Sequence, residues 1–338
     1  MSLTVHSVSD RDQWIVSLAE VGEHDFVHTY DFHRLSQSNG EGVPLMFVVR
    51  SDNGKACACW PLLSRSIPGT DYHDLTSVYG YAGPIFSDSS SSDRCVDLMI
   101  LRMREEGYVS LFSRMHPLFI NDLLNETSKG LRLGDVVILP IAPTDNVLLT
   151  YRGSHRREIL SSRRNGVEIV VSADASDLPK FIDIYQSAMA ELGASDYYYF
   201  NESYFEQLCA SSDFKVLIVS AIYEGVYIAS SLFIVVGKVM QYYLSGTVSE
   251  YRKYSPSKAI IAKAHEIAIS MGCDNLVLGG GVGSKIDPLF KFKQGFSDYS
   301  LPFYVKKEVL NHDLYVELVL AAGNEKSDSG YFPLYRLA

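Results

Sequence analysis

The sequence predicts an α/β protein built from two similar domains, each a mostly antiparallel, mixed sheet flanked by helices. Its 338 residues are enough for two domains at roughly 100–200 residues each. The hydrophobic fraction of 47% is ordinary for a globular chain and can fill two cores. The third observation is an order of elements that occurs twice: a helix, an antiparallel hairpin, a third strand, a second helix and a final strand.

The second half shows this order most clearly. A helix over residues 178–192 is amphipathic, with apolar side chains recurring at helical spacing. The elements that follow it are strands over 214–223 and 226–236 around the turn Glu224-Gly225, a strand over 239–244, a helix over 258–271 and a buried strand over 275–278. The second helix also has one continuous apolar face, so both helices are expected to pack on a sheet.

The first half repeats the order with shorter elements. These are a helix over 10–18, strands over 45–50 and 55–65 around the turn Asp52-Asn53-Gly54, a helix over 94–107 and a strand over 109–114. The repeat lies in the order of elements and not in residue identity. We therefore expect an N-terminal domain over residues 1–145 and a C-terminal domain over 146–338, joined through the region 139–166.

Charge and cysteine content exclude several classes of protein. A net charge of −10 argues against a general nucleic-acid or anionic-membrane binder, since those present a net basic surface. The N-terminus lacks the pattern of a secretory signal, and no apolar stretch approaches the ~20 residues that span a bilayer. Five scattered cysteines fit neither a zinc site nor a disulfide framework. We expect a cytoplasmic protein without a metal, a nucleic-acid partner or membrane insertion.

A short basic loop before the helix over 258–271 is the first candidate binding site. Helix N-terminal N–H groups and the helix dipole favour an anion such as pyrophosphate. A lysine near a helix start is otherwise unfavourable, which favours an anionic partner for Lys258. The candidate residues are Arg252, Lys253, Ser255, Pro256, Ser257 and Lys258. The alternative is that Ser255 or Ser257 only caps the helix and that the cations form a solvated face.

A glycine run and an aromatic, basic segment follow the last predicted strand. Three glycines at 279–281 permit close backbone approach, but the segment matches neither a Walker loop nor a dinucleotide fingerprint. In the segment 287–293, Lys291 and Lys293 alternate with two phenylalanines, so extended geometry would place both lysines on one face. The alternative is an edge of the core that carries two surface lysines.

A third basic segment lies at residues 154–164. On a helix, Arg156 and Arg157 lie one or two turns from Arg163 and Arg164, and arginine suits bidentate contact with phosphate. The same pattern fits an exposed helix whose arginines pair with Glu158 and with aspartates elsewhere in the chain.

Further candidates are aromatic residues and one histidine. The aromatic cluster at 196–200, which includes Tyr198, would suit a sugar or base pocket, and Tyr79 and Tyr81 would suit the rim of a cleft. Tyrosines also bridge core and surface without binding anything. His116 is a candidate base at a strand end, although a histidine there is often a hydrogen-bonded structural residue.

No catalytic triad, metal spacing or pair of carboxylates stands out. Aminolysis of a thioester needs none of these. It needs a neutral amine held against the carbonyl carbon and a stabilised oxyanion.

Several of these segments together resemble the GNAT superfamily of acyltransferases, in the FemAB-like form that carries two such domains in tandem. The resemblance covers most of the chain. The segments that carry it are Tyr79-Gly80-Tyr81-Ala82-Gly83-Pro84, the basic helix 156–164 with Asn165-Gly166, the strand and loop from Tyr242 to Lys258, Leu278–Gly281, and Phe292-Lys293-Gln294-Gly295-Phe296, which is similar to the family's Phe-Lys-x-x-Phe signature.

The resemblance implies that the C-terminal domain binds acyl-CoA between the strands near Leu244 and Leu278, with the loop 252–257 on the pyrophosphate. Lys293, the lysine of the signature, would offset charge in the transition state. The loop lacks the glycines of the single-domain pattern Arg/Gln-x-x-Gly-x-Gly/Ala, so its contacts with CoA would differ.

The resemblance further implies a sugar N-acyltransferase of the FdhC type, acting on a dTDP- or UDP-linked aminodeoxysugar in the biosynthesis of a surface polysaccharide such as lipopolysaccharide or capsule. On this hypothesis Lys293 is the electrostatic helper, and the backbone N–H groups of Leu244, Ser245 and Gly246 bind the thioester oxygen. The proton acceptor is Tyr243, Asp287 or His116. The nucleotide diphosphate is assigned to Arg156, Arg157 and Arg163, and the further substrate contacts are Gly280, Phe292, Tyr79, Tyr81 and Tyr198.

Two other functions compete with this hypothesis. One is aminoacyl transfer from charged tRNA to a cell-wall precursor, as in classical FemAB-like proteins; the other is a non-catalytic binding module of a polysaccharide export system. The acidic balance and the lack of a long helical insertion favour the sugar enzyme. A homodimer is compatible with all three.

Overall fold

The computed structural model of the chain describes residues 3–88, 91–120, 123–327 and 329–337. The chain forms two compact units, which we call unit 1 (Met1–Gly134 with Pro302–Ala338) and unit 2 (Asp135–Leu301). Both units have the predicted α/β architecture of a mostly antiparallel sheet with helices. The predicted fold class is therefore confirmed.

The elements up to residue 140 run from a short N-terminal strand to the strand that enters unit 2. In chain order they are β1 (Leu3–Val8), α1 (Arg11–Val21), α2 (Tyr30–Ser38), β2 (Val43–Ser51), β3 (Ala56–Ser66), β4 (His73–Thr76), β5 (Ile85–Phe86), α3 (Ser92–Glu105), β6 (Ser110–Arg114), α4 (Pro117–Ile120), α5 (Glu126–Lys129) and β7 (Leu131–Pro140).

The remaining elements complete unit 2 and then return to unit 1. In chain order they are α6 (Gly153–Arg164), β8 (Glu168–Ser172), α7 (Leu178–Leu192), α8 (Glu202–Cys209), β9 (Lys215–Tyr223), β10 (Val226–Val236), β11 (Val239–Thr247), α9 (Pro256–Ser270), β12 (Asn275–Gly279), α10 (Pro288–Lys293), β13 (Ser300–Val309) and α11 (His312–Ala321). A 3₁₀ turn, Ser249–Tyr254, connects β11 to α9.

The two sheets have the same strand pattern. In unit 1 the order is β1-β2-β3-β4-β6-β13, and in unit 2 it is β8-β9-β10-β11-β12-β7. Neighbours are antiparallel in both units except the fourth and fifth strands, β4 with β6 and β11 with β12, which are parallel. A parallel pair needs a crossover connection, and α3 and α9 supply it. The repeated order of elements thus corresponds to a repeated topology.

The units exchange their sixth strands. β7 follows the elements of unit 1 but pairs with β12, while β13 follows unit 2 but pairs with β6. The chain therefore divides at 134/135 and 301/302 and not at 145/146, where the sequence predicted a single boundary. Strand pairing over such distances leaves no local signal in the sequence, which explains the difference.

The core of unit 2 lies between its sheet and α9. The predicted apolar face of this helix is buried at Ile260, Ile261, Ala264 and Ala268. These side chains pack with residues of the sheet, among them Phe233, Val235, Met240, Leu276 and Leu278. A fully buried isoleucine contributes about 1.5–3 kcal/mol, so this face fixes α9 on the sheet.

The segment 287–293 differs from the extended geometry that its alternating pattern predicted. It forms α10, because the Asp287 side chain accepts from Phe290 N at 2.8 Å as an N-cap and Pro288 takes the first helical position. The two lysines consequently do not share a face: Lys291 is exposed and Lys293 is buried.

Candidate functional site

The strands β11 and β12 of unit 2 separate halfway along β11. They pair at Val239, Met240 and Gln241 of β11, whereas β11 itself continues to Thr247. Within the part of the chain that the structure describes, no further β11–β12 pair follows Gln241. This separation opens the strand edge that a continuous ladder would occupy.

A β-bulge accompanies the separation. On the β10 side, Tyr242 pairs with Phe233 and Leu244 pairs with Leu232, so Tyr243 is the extra residue of β11 at this point. An extra residue in one strand bends that strand and increases its twist. The bulge explains why β11 follows β10 and leaves β12 at this point.

The candidate anion site lies where α9 begins. Ser255 has φ +52°, and its hydroxyl caps no helical N–H. The Thr247 and Ser257 hydroxyls are 2.7 Å apart, which ties the end of β11 to the first turn of α9. The helix start therefore lies beside the part of β11 that has left β12.

Carboxylates neutralise most of the cations predicted for this loop. The Arg252 guanidinium lies 3.0 Å from Glu191, and the Lys258 ammonium lies 2.6 Å from Glu158. Lys253 has its ammonium 5.2 Å from the centre of the Tyr254 ring. The anionic partner that the position of Lys258 called for is thus present within the chain.

Lys293 is buried at the end of β12. Its ammonium donates to the Gly280 carbonyl at 2.7 Å. Burial lowers the pKa of this lysine to about 8, and the nearby Asp287 partly offsets the effect. A lysine with this pKa is mostly charged at neutral pH but gives up its proton more readily than an exposed one.

Asp287, a candidate proton acceptor, organises the loop around it. One carboxylate oxygen accepts from Phe290 N at 2.8 Å and the other from Val282 N at 3.0 Å. These hydrogen bonds lower the pKa of Asp287, and the one from Phe290 has the larger effect. A Cβ at Gly281 would lie 2.4 Å from the same carboxylate, so only glycine fits there. A carboxylate held in this way is a weak base.

Tyr243, the other candidate of unit 2, points away from α9. Side chains alternate across a strand, so Ser230 lies on the opposite face from Phe233, which packs with α9. Gly246 pairs with Ser230, and a Cβ there would lie 2.7 Å from the Ile184 carbonyl of α7. On this second face the Tyr243 hydroxyl is 2.6 Å from the Tyr204 hydroxyl of α8.

The predicted aromatic cluster lies between α7 and α8. Tyr198 is half-buried, and its carbonyl accepts from the Tyr185 hydroxyl at 2.9 Å. Tyr197 and Tyr199 on either side are exposed. The α7–α8 side of unit 2 therefore carries both this cluster and Tyr243.

The arginines of α6 lie on the other side of unit 2. The helix α6 packs against α9, and the Arg163 guanidinium lies 3.4 Å from Glu266 of α9. Arg156 and Arg157 are exposed. The structure thus places this basic helix beside the helix that begins at the candidate anion site.

The remaining candidates belong to unit 1. His116 is fully buried; Leu118 N donates to its Nδ1 at 3.2 Å, so its Nε2 carries a proton and donates to Asp25 at 3.0 Å. Tyr81 is half-buried and packs edge-on against Phe303, and Tyr79 is also half-buried. The structure does not bring His116 together with Lys293, Asp287 or Tyr243 in one unit.

Sequence reasoning missed Glu191, Tyr204 and His155 and treated Glu158 only as a general partner. His155 donates from Nε2 to the Phe292 carbonyl at 2.8 Å, and a Cβ at Gly295 would lie 2.1 Å from this nitrogen. Burial lowers the pKa of His155. Each of these residues lies 39 or more positions from its partner, as in the Tyr204–Tyr243 pair, so local patterns carry no signal for it.

Neither a membrane span nor a metal site emerges from the residues that the structure describes. None of their helices combines the length and hydropathy needed to cross a bilayer. No cluster of histidine, cysteine and acidic side chains among them could hold a metal ion.

A family comparison identifies the chemistry of unit 2. Residues 150–293, which run from just before α6 to Lys293, match the model of the acetyltransferase (GNAT) domain. The sequence has no significant match among curated proteins.

Solved structures show where the fold recurs. The crystal structure of FemX is similar over 94% of this chain and 99% of its own, with a TM-score of 0.68 and 13% identity. L-PGS from Bacillus licheniformis gives a TM-score of 0.54 at 14% identity, covering 93% of this chain and 96% of that one. The C-terminal domain of a putative lysylphosphatidylglycerol synthetase from Agrobacterium fabrum gives 0.53 at 15% identity, covering 92% and 95%. At these identities the similarity concerns the fold alone.

The family match and the separated strands agree on the same part of the chain. The matched residues include the bulge of β11, the start of α9 and Lys293. Unit 2 therefore contains a match to a GNAT-type acetyltransferase domain, and the chain is an acyltransferase.

Proposed function

We propose that the chain transfers an acyl group from acyl-CoA to the amine of a dTDP- or UDP-linked aminodeoxysugar, in the cytoplasmic biosynthesis of a surface polysaccharide. The observation that carries the proposal is the separation of β11 from β12 beside the start of α9. An extended donor with a thioester at one end and a diphosphate further along fits between two such strands, with the diphosphate at the helix start.

The reaction is a direct aminolysis. The neutral amine attacks the thioester carbonyl, a C–N bond forms, the C–S bond breaks, and the thiolate leaves with a proton. Backbone N–H groups alternate in direction along a strand, so we assign the oxyanion to those of Leu244, Ser245 and Gly246 that face away from β10, where β11 has left β12. The charged ammonium of Lys293, at the end of β12, adds positive potential.

Unit 2 offers one candidate relay for the proton of the attacking amine among the residues named above. Tyr243 lies at the bulge and shares a 2.6 Å hydrogen bond with Tyr204, so a proton can pass between the two hydroxyls. Asp287 is held by two backbone N–H groups, and His116 is buried against Asp25 in unit 1. We therefore assign the proton to water, reached directly or through a relay in which Tyr243 accepts it while passing its own hydroxyl proton to Tyr204, and Tyr204 passes its own to water.

The acceptor is proposed to bind on the α7–α8 side. Tyr198 and its exposed neighbours offer rings on which a sugar or base can stack. The exposed Arg156 and Arg157 lie instead on the helix that packs against α9, and we assign them to the phosphates of the donor. Gly280 and Phe292, which hold Lys293 and His155 through their carbonyls, line the end of β12.

One observation favours a second candidate, aminoacyl transfer from charged tRNA. Glu158 and Glu191 neutralise two of the cations at the loop, and a donor without a diphosphate needs no free cations there. On this alternative, tRNA and not CoA would stabilise the protein, with strong dependence on salt.

Thermal unfolding with candidate donors tests the proposal. CoA at about 100 times its Kd should stabilise the folded chain by ~2.7 kcal/mol and raise Tm by several degrees, whereas tRNA should not. Adding dTDP- or UDP-sugars in turn then identifies the acceptor nucleotide. A shift with tRNA and none with CoA would replace the first candidate with the second.

A further inference from the structure

Glu158 lies at the start of α9 although it belongs to a different helix. One of its carboxylate oxygens, Oε2, accepts from the Ser255 hydroxyl at 2.8 Å and from the Lys258 ammonium at 2.6 Å. Ser255 is the residue before α9, and Lys258 is in its first turn. A carboxylate thus occupies the end of the helix that attracts negative charge.

The two donors of this contact are the ones proposed to hold the donor diphosphate. We propose that Glu158 occupies the diphosphate position in the free enzyme and must be displaced when acyl-CoA binds, so that it sets the affinity and charge selectivity of the donor site. This inference rests on the proposed function, since it assumes a donor that carries a diphosphate.

The exposures of the two partners support a displacement of Glu158 and not of Lys258. The Lys258 side chain is 14% exposed and the Glu158 side chain 44%. The lysine is therefore fixed by its surroundings, while the glutamate can turn into solvent. The hydrogen bonds to Glu158 also stabilise its charged form. Burial raises the pKa of Glu158, but the hydrogen bonds from Lys258 and Ser255 outweigh burial, so the pKa is lowered overall.

Exchange of the Glu158 carboxylate for a diphosphate keeps Lys258 paired with an anion. A diphosphate brings more negative charge than one carboxylate, so Lys258 stays paired when Glu158 leaves. Arg252 and Lys253 lie on the same loop, so a diphosphate adds an anion to the Glu191 contact of Arg252 and to the Tyr254 ring contact of Lys253. A donor with less charge at this position would displace Glu158 less well, which is the origin of the selectivity.

The packing of α6 does not depend on this contact. His155, Ile159 and Ser162 form its buried face, and Glu158 lies outside that face. Replacing Glu158 by glutamine keeps its length and an acceptor oxygen and removes only the charge. The variant is therefore expected to fold.

Titration calorimetry with CoA on the full chain, at one ionic strength, tests the proposal. Glu158→Gln should lower the Kd for CoA on the order of fivefold to tenfold, because a competing charge in contact with the site has gone. Glu191→Gln is the matched control. It removes one negative charge beside the same loop. The Arg252–Glu191 pair is screened by solvent, with side chains 55% and 42% exposed, and Glu191 does not contact Ser255 or Lys258, so the change in Kd should be under twofold.

The outcomes separate this inference from the proposed function. Tight binding of CoA to the wild type with an equal or higher Kd for Glu158→Gln would show that Glu158 only positions Lys258, and would overturn the inference alone. Equal changes in both variants would also overturn it, in favour of a general charge effect. CoA binding to none of the three proteins would overturn the proposed function and this inference with it.

Discussion

The two units share one strand order and differ where their fourth and fifth strands meet. In unit 1 the contact between β4 and β6 continues past the end of β4: Ser77 N donates to the Phe112 carbonyl at 2.9 Å, and Arg114 N donates to the Ser77 hydroxyl at 3.1 Å. In unit 2 the corresponding pairing stops at Gln241, and β11 runs on for six residues with β10 only.

The chain following β4 also fills the space beside β6. A Cβ at Gly83 would lie 3.0 Å from Met115 Cα, just past the end of β6, so this backbone packs directly on the strand end. In unit 2 the chain after β11 turns instead into the loop before α9. The pairing of β4 with β3 has no register shift, whereas β11 has the bulge at Tyr243.

The comparison shows that one topology can leave the fourth and fifth strands either joined or separated. The fourth and fifth strands stay in contact to their ends in unit 1 and separate in unit 2, although both sheets have the same strand order. One extra residue in β11 and a loop that turns away account for the difference.

The largest expected effect concerns Lys293 and tests whether the chemistry belongs to unit 2. Lys293→Ala should lower kcat/KM by about 100-fold or more, the usual loss when one group that stabilises the transition state is removed. Lys291→Ala, two residues away and exposed, should leave kcat/KM unchanged. Steady-state kinetics with acyl-CoA and the amine acceptor measure both, and a loss under threefold for Lys293→Ala would leave this lysine a purely structural role.

The pH dependence sharpens the same prediction. Lys293 is charged below its pKa of about 8, so its contribution is present at neutral pH and is lost as pH rises through that value. The wild-type rate should therefore have an alkaline limb near pH 8 that Lys293→Ala lacks. The same limb in both proteins would assign it to another group, such as the amine itself.

Acid should weaken the two units in the same way, because each buries a neutral histidine. Burial lowers the pKa of His33 in unit 1 and of His265 in unit 2 to about 4 in both cases. The unfolded chain then takes up protons first as pH falls from 6.5, so the free energy of unfolding decreases between pH 6.5 and 4 and levels off below. For His33 the full loss is about 3 kcal/mol.

Urea unfolding at pH 7 and at pH 4.5 checks this prediction. His33→Gln and His265→Gln should each flatten the pH dependence of the free energy of unfolding, whatever they cost at pH 7. Profiles parallel to the wild type would show that other groups control the acid response.

The smallest expected effects come from two glycines at the point where the units differ. Gly83→Ala and Gly246→Ala should each lower the free energy of unfolding by about 1–3 kcal/mol, since the new methyl meets backbone atoms of Met115 or of Ile184. Only Gly246→Ala should also weaken CoA binding, because it shifts β11. Gly54→Ala, with positive φ but open space around it, serves as the control and should cost about 1 kcal/mol.

Periodicity predicted the elements well and their long-range relations poorly. The apolar stripe of α9 and the hairpin turn Glu224-Gly225 are local patterns, and both were found close to their predicted places. The alternation of phenylalanine and lysine at 290–293 would place both lysines on one face in extended geometry, but the cap at Asp287 and the proline after it start a helix.

Only the part of the candidate site that is formed by residues contiguous in sequence could be predicted. The basic loop and the start of α9 are contiguous in sequence, and so the anion site could be proposed. The neutralisation of this loop by Glu158 and Glu191 could not be predicted. These carboxylates come from α6 and α7, and nothing in their local sequence points to the loop. The bulge at Tyr243 depends on register with β10, which a single strand does not reveal.

The exchanged sixth strands also decide which sheet can be completed first during translation. Unit 2 holds every strand of its sheet once residue 279 has been made, whereas the sheet of unit 1 waits for β13, which ends at residue 309. At 5–20 residues per second this delay after residue 134 is roughly 10–35 s, during which the edge of β6 has no native partner. The half of the protein that leaves the ribosome first is therefore the half that is finished last.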